Sequence, residues 1–289
     1  MASPRPLCVV VGAGTKYASN ESFYGDTSSE GLASDVKWGL GGALPIVFAE
    51  RGYDTVVMSR SLDNLRPIQA HIHGSDSGAR CEAVECDCAD EASIAAAFAS
   101  VRALFPDRCV ECLIYNAGYA QPAGASGNPM GGQMVHEVPV ENFTMAYSVH
   151  VNGLLLCAQQ VLPTMMEQPP GACSILVTGN TMSLRGGEKF GVNAPSKFAQ
   201  RGLTQVMSQE YKPLGIHVAH VVVDGALDAP GMRTMMGERF QEEEEAPGSL
   251  VLAPAEVAKA FLYLAEQHPS VWTHEIALTP YAVKLGQRL

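Results

Sequence analysis

Residues 173–207 read CSILVTGNTMSLRGGEKFGVNAPSKFAQRGLTQVM, and this stretch decides the fold. It begins with an apolar, partly β-branched run, Ile175 to Thr178, which is typical of a buried strand. A polar, glycine-containing loop follows, and a helical pattern begins near Val192 and continues past Lys197. In doubly wound α/β folds, a strand that ends in a polar loop and leads into a helix builds a site at the carboxyl edge of the sheet. The stretch therefore predicts such a sheet and such a site.

A second strand–turn–helix unit lies near the start of the chain. Residues 6–11 predict a strand and residues 39–49 a helix, whose start we place at Gly39 because Pro45 fits only the first helical turn. A further strand is expected at 53–58. Glycines between a strand and a helix let backbone N–H groups approach a pyrophosphate at the helix N-terminus. The residues expected to bind it are Gly12, Gly14, Gly39, Leu40 and Gly41.

Residues 15–38 interrupt this unit as an inserted loop, TKYASNESFYGDTSSEGLASDVKW. Long loops inside compact domains are usually functional or disordered. The entropic cost of closing a loop grows only slowly with its length, so the insert is compatible with the fold. Three interpretations stay open: a mobile surface loop, a flap over the cofactor phosphates, and a partner-binding surface.

The end of the second strand indicates which dinucleotide would bind. It reads Ser59-Arg60-Ser61, where an acidic residue would accept hydrogen bonds from the ribose hydroxyls of NAD. An arginine flanked by serines suits a 2′-phosphate instead. We therefore expect NADP(H), with NAD(H) as the less favoured cofactor. The alternative is an exposed arginine that merely ends a strand.

The rest of the chain alternates helices and strands. Helices are expected at 61–73, 91–104, 140–166, 192–211 and 254–266, and strands at 80–86, 109–114, 216–223 and 273–278. Alternation at this spacing predicts a parallel sheet with helices on both faces. The fold class is α/β, and residues 1–289 are expected to form a single Rossmann-type, NAD(P)-binding domain.

Composition excludes several classes of protein. A net charge of −11 and a pI near 5.2 argue against nucleic acid or an anionic membrane as the partner. No apolar run is long enough for a membrane span, and the start of the chain is better explained as a strand than as a signal peptide. The eight cysteines and the His71/His73 pair lack zinc-site spacing. We expect no metal, structural thiols in a reducing compartment and a cytoplasmic location, with a redox or metal-binding role as the alternative for the thiols.

The turn Tyr115-Asn116-Ala117-Gly118, the glycine-rich unit and the segment around Lys197 together resemble the short-chain dehydrogenase/reductase family. The resemblance spans nearly the whole chain outside 15–38. It implies that Asp87 contacts the adenine ring, that Asn116, Ala117 and Gly118 let the chain pass close to the cofactor, and that Gly225 lies near the nicotinamide. It further implies that Lys197 binds the nicotinamide ribose and that Asn152 holds a water in a proton relay.

The catalytic pattern of this family is altered here. The family has a Tyr four residues before the Lys and a Ser about thirteen before the Tyr, but this chain has Asn193 and Asn180 there, with Thr181 adjacent. Asn cannot give a proton in the useful pH range, and general acid–base catalysis contributes about 10²–10⁴-fold. Asn193 and Asn180 can still orient a carbonyl, and Thr181 can supply a hydroxyl. Candidate replacement acids are Lys189, Tyr119 and Glu188.

Two main functions follow from the resemblance. The first is an NADP(H)-dependent oxidoreductase that transfers hydride to or from a small carbonyl or alcohol substrate with an atypical site. The second is an NADP(H)-binding sensor or scaffold that has lost turnover, and a fold kept for assembly alone is a weaker third. The amphipathic helices at 140–166 and 192–211 match those that pair protomers in the family, so a homodimer or homotetramer is expected.

Overall fold

The computed structural model describes residues 4–14, 38–119, 132–236, 238, 240 and 251–281. A parallel seven-stranded sheet, in the order β3-β2-β1-β4-β5-β6-β9, forms its centre. The elements are β1 (Leu7–Val11), α1 (Gly39–Arg51), β2 (Asp54–Ser59), α2 (Arg66–His73), β3 (Cys81–Glu85), α3 (Glu91–Leu104), β4 (Cys112–Tyr115), α4 (Val140–Tyr147), α5 (Gly153–Met165), β5 (Cys173–Asn180), α6 (Asn193–Tyr211), β6 (Ile216–Val223), β7 (Ala226–Leu227), α7 (Pro230–Met236), β8 (Val251–Leu252), α8 (Pro254–Ala265) and β9 (Glu275–Leu278).

The strand order confirms the predicted Rossmann-type, doubly wound α/β fold. Neighbouring strands pair in parallel, and the order reverses between β1 and β4, where such sheets open a crevice for ligands. Residues 15–37 and 120–131 lie outside the described part of the chain. The three interpretations of the insert therefore stay predictions.

Two hydrophobic layers cover the sheet, because alternate residues of each strand point to opposite faces. Val9 and Val11 of β1 pack in the layer that contains α3 and α5. Cys8 and Val10 pack in the opposite layer, formed with α1, α2 and α8. All four side chains are fully buried, as expected for a central parallel strand.

Three predicted elements begin two or more residues later in the structure. The helix expected at 61–73 is a 3₁₀ turn, Leu62–Asn64, followed by α2, which begins at Arg66 because Pro67 is tolerated only in the first turn. Strand β4 begins at Cys112 rather than at residue 109, since its partner β1 begins at Leu7 and pairing starts one residue later. Strand β9 begins at Glu275, two residues later than expected.

The long helix expected at 140–166 is interrupted. A π-helical turn, Ser148–Asn152, separates α4 from α5. Such turns add one residue to a helix and are frequent at functional sites. This one lies against α6, the helix that carries Lys197.

Candidate active site

The glycine turn after β1 is built by close backbone contacts. Gly12 has φ +81°, and a Cβ atom there would overlap with the backbone of Ala117. Asn116 donates from Nδ2 to the Gly12 carbonyl at 3.0 Å. Glycine at position 12 is therefore required both by its φ and by the neighbouring turn, 115–118, that follows β4. The structure brings these two predicted cofactor segments together at the switch point of the sheet.

The N-terminus of α1 is hydrogen-bonded to the same glycine turn, at a carbonyl group that a proline within the helix leaves without its usual donor. Pro45 lies in the second turn of α1, so the prediction that placed it in the first turn is wrong. Because proline has no N–H, the Gly41 carbonyl four residues earlier lacks a helical donor, and Gly14 N–H donates to it at 3.4 Å. The first turn of this 13-residue helix carries no acidic residue. Its free N–H groups therefore suit an anion such as a pyrophosphate.

The end of β2 carries the residues predicted to choose the dinucleotide. Ser59 Oγ donates to the Ser61 carbonyl at 3.0 Å, and Ser59 lies close to Gly14. Arg60 is exposed, and none of the ion pairs found among the described residues involves it. The pKa of Cys88 is lowered first by a hydrogen bond with Cys86 and also by the charge of Arg60. Ser59 pairs with Glu85 of β3, so Arg60 follows β2 beside the segment in which Asp87 follows β3.

Lys197 is buried at the carboxyl edge of the sheet. Its ammonium Nζ donates to the Thr178 carbonyl of β5 at 3.1 Å and to Gln200 Oε1 at 2.8 Å. Burial lowers the pKa of Lys197 to about 7. Both protonation states are therefore populated near neutral pH. Gln200 was not predicted as a site residue, although it lies three residues after Lys197 on the same helical face.

The π-turn buries His150 against α6 and leaves the predicted site residue Asn152 exposed. Asn152 is exposed, whereas His150 is fully buried, and its backbone carbonyl accepts a hydrogen bond from Gln200 Nε2 at 3.1 Å. The side chain of Gln200 thus connects Lys197 with the π-turn directly. Burial, and then the Lys197 charge, hold the pKa of His150 well below its usual range. His150 is a second residue that the motif comparison missed.

Thr181 has its hydroxyl group engaged by a carboxylate. Its Oγ1 donates to Oδ1 of Asp224, which is buried and lies 3.7 Å from Arg185 Nη2. Asn180 is also engaged, since its Oδ1 accepts the N–H of Met182 at 3.0 Å and caps a 3₁₀ turn. Thr181 and Asn180, the residues predicted to replace the family's Ser, are therefore both held by hydrogen bonds within the chain. Thr181 Oγ1 still has lone pairs with which to accept a hydrogen bond from a substrate.

Asn193 and the three candidate acids differ in burial and in the groups that they contact. Asn193 is buried at the first turn of α6, one turn before Lys197. Lys189 and Glu188 are exposed, and Lys189 Nζ lies 4.0 Å from Glu188 Oε1. Tyr119 donates from its hydroxyl to Asn142 Oδ1 at 3.1 Å, and burial raises its pKa. Of the ionisable candidates, Lys197 alone is buried beside both β5 and the π-turn.

Gly225 follows β6 and precedes the short strand β7. In the ranges that the structure describes, no group of three His, Cys, Asp or Glu side chains is arranged to hold a metal ion. Within those same ranges, no helix is both long and apolar enough to cross a membrane.

Comparison with known proteins agrees with this geometry. A family model described as short chain dehydrogenase matches residues 36–242, more than half of the chain. The chain belongs to the short-chain dehydrogenase family. This family comprises oxidoreductases that bind NAD(P), and the predicted family membership is thereby confirmed.

Individual family members are distant. The chain is 27% identical to 3-ketodihydrosphingosine reductase of Dictyostelium discoideum over 221 residues. The aligned region covers 71% of this chain and 62% of that protein. It is 32% identical over 198 residues to inactive 2-(S)-hydroxypropyl-CoM dehydrogenase 2 of Xanthobacter autotrophicus, covering 66% and 79%. A metagenomic short-chain oxidoreductase in complex with NADP superposes with a TM-score of 0.68 and 18% identity, covering 96% of this chain and 99% of that one.

Proposed function

We propose that this short-chain dehydrogenase is an NADP(H)-dependent oxidoreductase of a small carbonyl compound or alcohol. The observation that carries the proposal is Lys197, a buried ammonium group held between the Thr178 carbonyl and Gln200 with a pKa lowered by burial to about 7. Perturbed ionisable groups of this kind cluster at active sites. Lys197 lies on the carboxyl edge of the sheet, where the glycine turn at Gly12 also opens.

The cofactor half of the proposal rests on how the glycine turn fits an anion. The first turn of α1, which carries no acidic residue, would bind the pyrophosphate, and the segment 59–61 would bind a 2′-phosphate through Arg60. Asp87, Asn116, Ala117, Gly118 and Gly225 would line the rest of the dinucleotide, with Lys197 on the nicotinamide ribose. The bound dinucleotide would supply the hydride.

The chain's own residues would handle the proton. Asn193 has no proton to give, so we assign proton transfer to Lys197 Nζ, with Gln200 orienting the ammonium group. Asn193 and Asn180 would orient the substrate oxygen through their amides. Thr181 Oγ1 donates its own hydrogen to Asp224, so it would accept a hydrogen bond from an alcohol substrate more readily than it would donate one to a carbonyl.

One observation favours the second candidate function, an NADP(H)-binding sensor or scaffold without turnover. Thr181 donates its hydroxyl hydrogen to Asp224, and the family's Tyr is replaced by Asn193, so neither residue supplies a hydroxyl proton to the substrate oxygen. The similarity to a relative named as inactive is consistent with it. Both functions require cofactor binding, and only the first requires oxidation of NADPH.

A calorimetric titration with NADPH and NADH tests the cofactor half. NADPH should bind more tightly, and Arg60→Ala should weaken NADPH binding about 10- to 100-fold, because a charged hydrogen bond is lost. NADH binding should be unchanged. Arg66→Ala is the matched control, since Arg66 is an exposed arginine nearby that pairs with Asp63 at 3.1 Å. Equal binding of both cofactors, or none, overturns the NADP(H) assignment.

A panel of aldehydes, ketones and quinones with NADPH then separates the two functions. The oxidoreductase predicts NADPH oxidation that is lost in Lys197→Ala, whereas the sensor predicts binding without oxidation. Turnover that persists unchanged in Lys197→Ala contradicts the assigned role of Lys197.

We also propose a homodimer or homotetramer. Large apolar side chains are exposed on α4, α5 and α6, among them Val140 (72%), Leu155 (41%) and Val206 (51%). Exposed apolar patches of this kind are typical of protein interfaces. Light scattering at micromolar concentration should give a multiple of the 30.7 kDa chain mass, and Val206→Glu should shift it toward the monomer. A monomeric wild-type chain contradicts this part of the proposal.

A further inference from the structure

Two cysteines, one at the start of β5 and one in the segment that leads into β4, lie close together at the amino-terminal edge of the sheet. Cys173 is the first residue of β5, and Cys109 lies three residues before β4. Their Sγ atoms are 3.9 Å apart. This edge is opposite to the carboxyl edge, where Gly12 and Lys197 lie. The pair is therefore separate from the proposed cofactor site.

The two thiols differ in a way that suits sequential oxidation. Cys109 is partly exposed, whereas Cys173 is buried at 3% exposure. The hydrogen bond between Cys109 and Cys173 lowers the pKa of the Cys109 thiol, and Cys109 Sγ also donates to Thr164 Oγ1 at 3.9 Å. The thiolate is the reactive form, and solvent access decides which thiol an oxidant meets first. Cys109 thus has the properties of the thiol that reacts first with an oxidant, and Cys173 has those of the resolving thiol.

We propose that Cys109 and Cys173 form a reversible disulfide when the protein meets hydrogen peroxide. The Cys109 thiolate attacks the peroxide, whose O–O bond breaks, leaving Cys109 as a sulfenic acid and releasing one water after proton uptake. The Cys173 sulfur then attacks the Cys109 sulfur, the S–O bond breaks, and a second water leaves. The two thiols together lose two electrons, and one peroxide is reduced to two waters.

The geometry needs only small movements. A disulfide has an S–S distance of about 2.05 Å, so the two sulfurs, now 3.9 Å apart, must approach by roughly 2 Å. β4 and β5 are hydrogen-bonded neighbours, and the residue after Cys173 pairs with Cys112. The bond would join residues 64 positions apart in sequence. It would therefore restrict a long segment of the unfolded chain.

The other thiols with a nearby thiol are less accessible. Cys8 and Cys112 are register partners of β1 and β4, but both are at most 1% exposed. Cys86 and Cys88 hydrogen-bond to each other and are buried at 1% and 8% exposure. Among the described cysteines, Cys109 is the only thiol that is not buried. It should therefore be the first to react.

Peptide mapping gives a direct test, because cleavage after glutamate separates the thiols. Trypsin leaves Cys109 and Cys173 in one peptide, since no Lys or Arg occurs from 109 to 184. Cleavage after Glu places Cys109 in 92–111, Cys112 in 112–137, Cys157 in 142–167 and Cys173 in 168–188. After brief exposure of the full chain to peroxide, the intact mass should fall by about 2 Da. Peptides 92–111 and 168–188 should then be linked, and dithiothreitol should release them.

Variants make the test specific. Cys109→Ser and Cys173→Ser should each abolish the linked peptide, while Cys157→Ala, which removes a buried thiol outside the pairs, should retain it. The oxidised wild-type protein should have a Tm raised by about 5 °C, a shift absent from both serine variants. A gain of about 16 Da on peptide 92–111 without a link overturns the proposal. So does a link between any other two peptides, or no mass change while Cys109 remains alkylatable.

Discussion

The Nε2 atom of His150 accepts a hydrogen bond from the backbone N–H of Tyr119 at 3.0 Å. Because Nε2 is the acceptor, the neutral ring carries its proton on Nδ1, which lies 2.9 Å from Ser196 Oγ. Ser196 in turn donates to the carbonyls of Val192 and Asn193. One buried imidazole thus connects the turn after β4, the π-turn and the start of α6, where Asn193 and Lys197 lie. We regard His150 as the positioning residue of the site.

Replacing His150 should therefore disturb the fold and the site together. His150→Phe leaves the Tyr119 N–H without its acceptor, at about 1–3 kcal/mol for a buried unpaired group. It also removes the hydrogen bond between His150 Nδ1 and Ser196 Oγ, while Ser196 keeps its bonds to the Val192 and Asn193 carbonyls. Urea denaturation should show this loss, and cofactor affinity should fall with it. Asn152→Ala at the exposed neighbouring position should cost less than 0.5 kcal/mol, as is usual for surface positions (about ±0.5). A larger effect of Asn152→Ala than of His150→Phe contradicts the assignment.

The sequence predicts the scaffold of this protein better than its active-site contacts. The strands can be predicted because buried parallel strands are continuous apolar runs, as at 216–223. The turn at Gly12 can be predicted because its positive φ requires glycine. The π-turn is not readable, since it adds one residue and shifts the helix faces away from a 3.6-residue period. This is why the motif indicated Asn152 and the structure presents His150.

The sequence also does not predict contacts between distant segments of the chain. Thr181 and Asp224 are 43 positions apart, and Cys109 and Cys173 are 64 apart. Neither contact follows from local pattern, since each depends on the order of strands in the sheet.

The pH dependence of turnover should follow Lys197. Its pKa is lowered to about 7 by burial, so the protonated form declines as pH rises through 7. Carbonyl reduction consumes a proton, so kcat for reduction should fall above pH 7, whereas kcat for alcohol oxidation should rise. Lys197→Arg should flatten both profiles, because arginine stays protonated. Lys197→Met should lower kcat by about 10²–10⁴-fold. Profiles of kcat against pH with an inflection far from 7 argue against Lys197 as the proton carrier.

Two glycine-to-alanine substitutions should change the stability of the protein in opposite directions. Gly12→Ala forces a Cβ atom into the backbone of Ala117 at a φ of +81°, so it should destabilise the protein by about 2 kcal/mol or more and abolish dinucleotide binding. Gly202→Ala, inside α6, meets nothing within 4 Å and should stabilise it by about 0.5–1 kcal/mol. Thermal denaturation of the pair provides the comparison. A tolerated Gly12→Ala would show that the turn relaxes without loss.

Acid should destabilise the fold through its buried histidines. Burial lowers the pKa of His220 to about 4, against the hydrogen bond from its Nδ1 to Glu275 at 3.0 Å, which raises it. An unfolded histidine titrates near 6.5, so below that pH the unfolded chain binds a proton that the folded chain does not. Stability is therefore complete above about pH 6.5 and falls as pH drops toward 4, by roughly 3 kcal/mol for this one group.

The contribution of His220 can be separated by substitution. His220→Gln should be less stable than wild type at pH 7.5, because it removes the buried bond to Glu275, yet it should lose less stability on going to pH 5. Exposed His268→Gln should leave the pH slope unchanged. Urea denaturation at pH 7.5, 6 and 5 measures the three slopes. Parallel slopes for wild type and His220→Gln would mean that the acid sensitivity lies elsewhere. The remaining candidates are His150 and His217, whose pKa values burial also lowers.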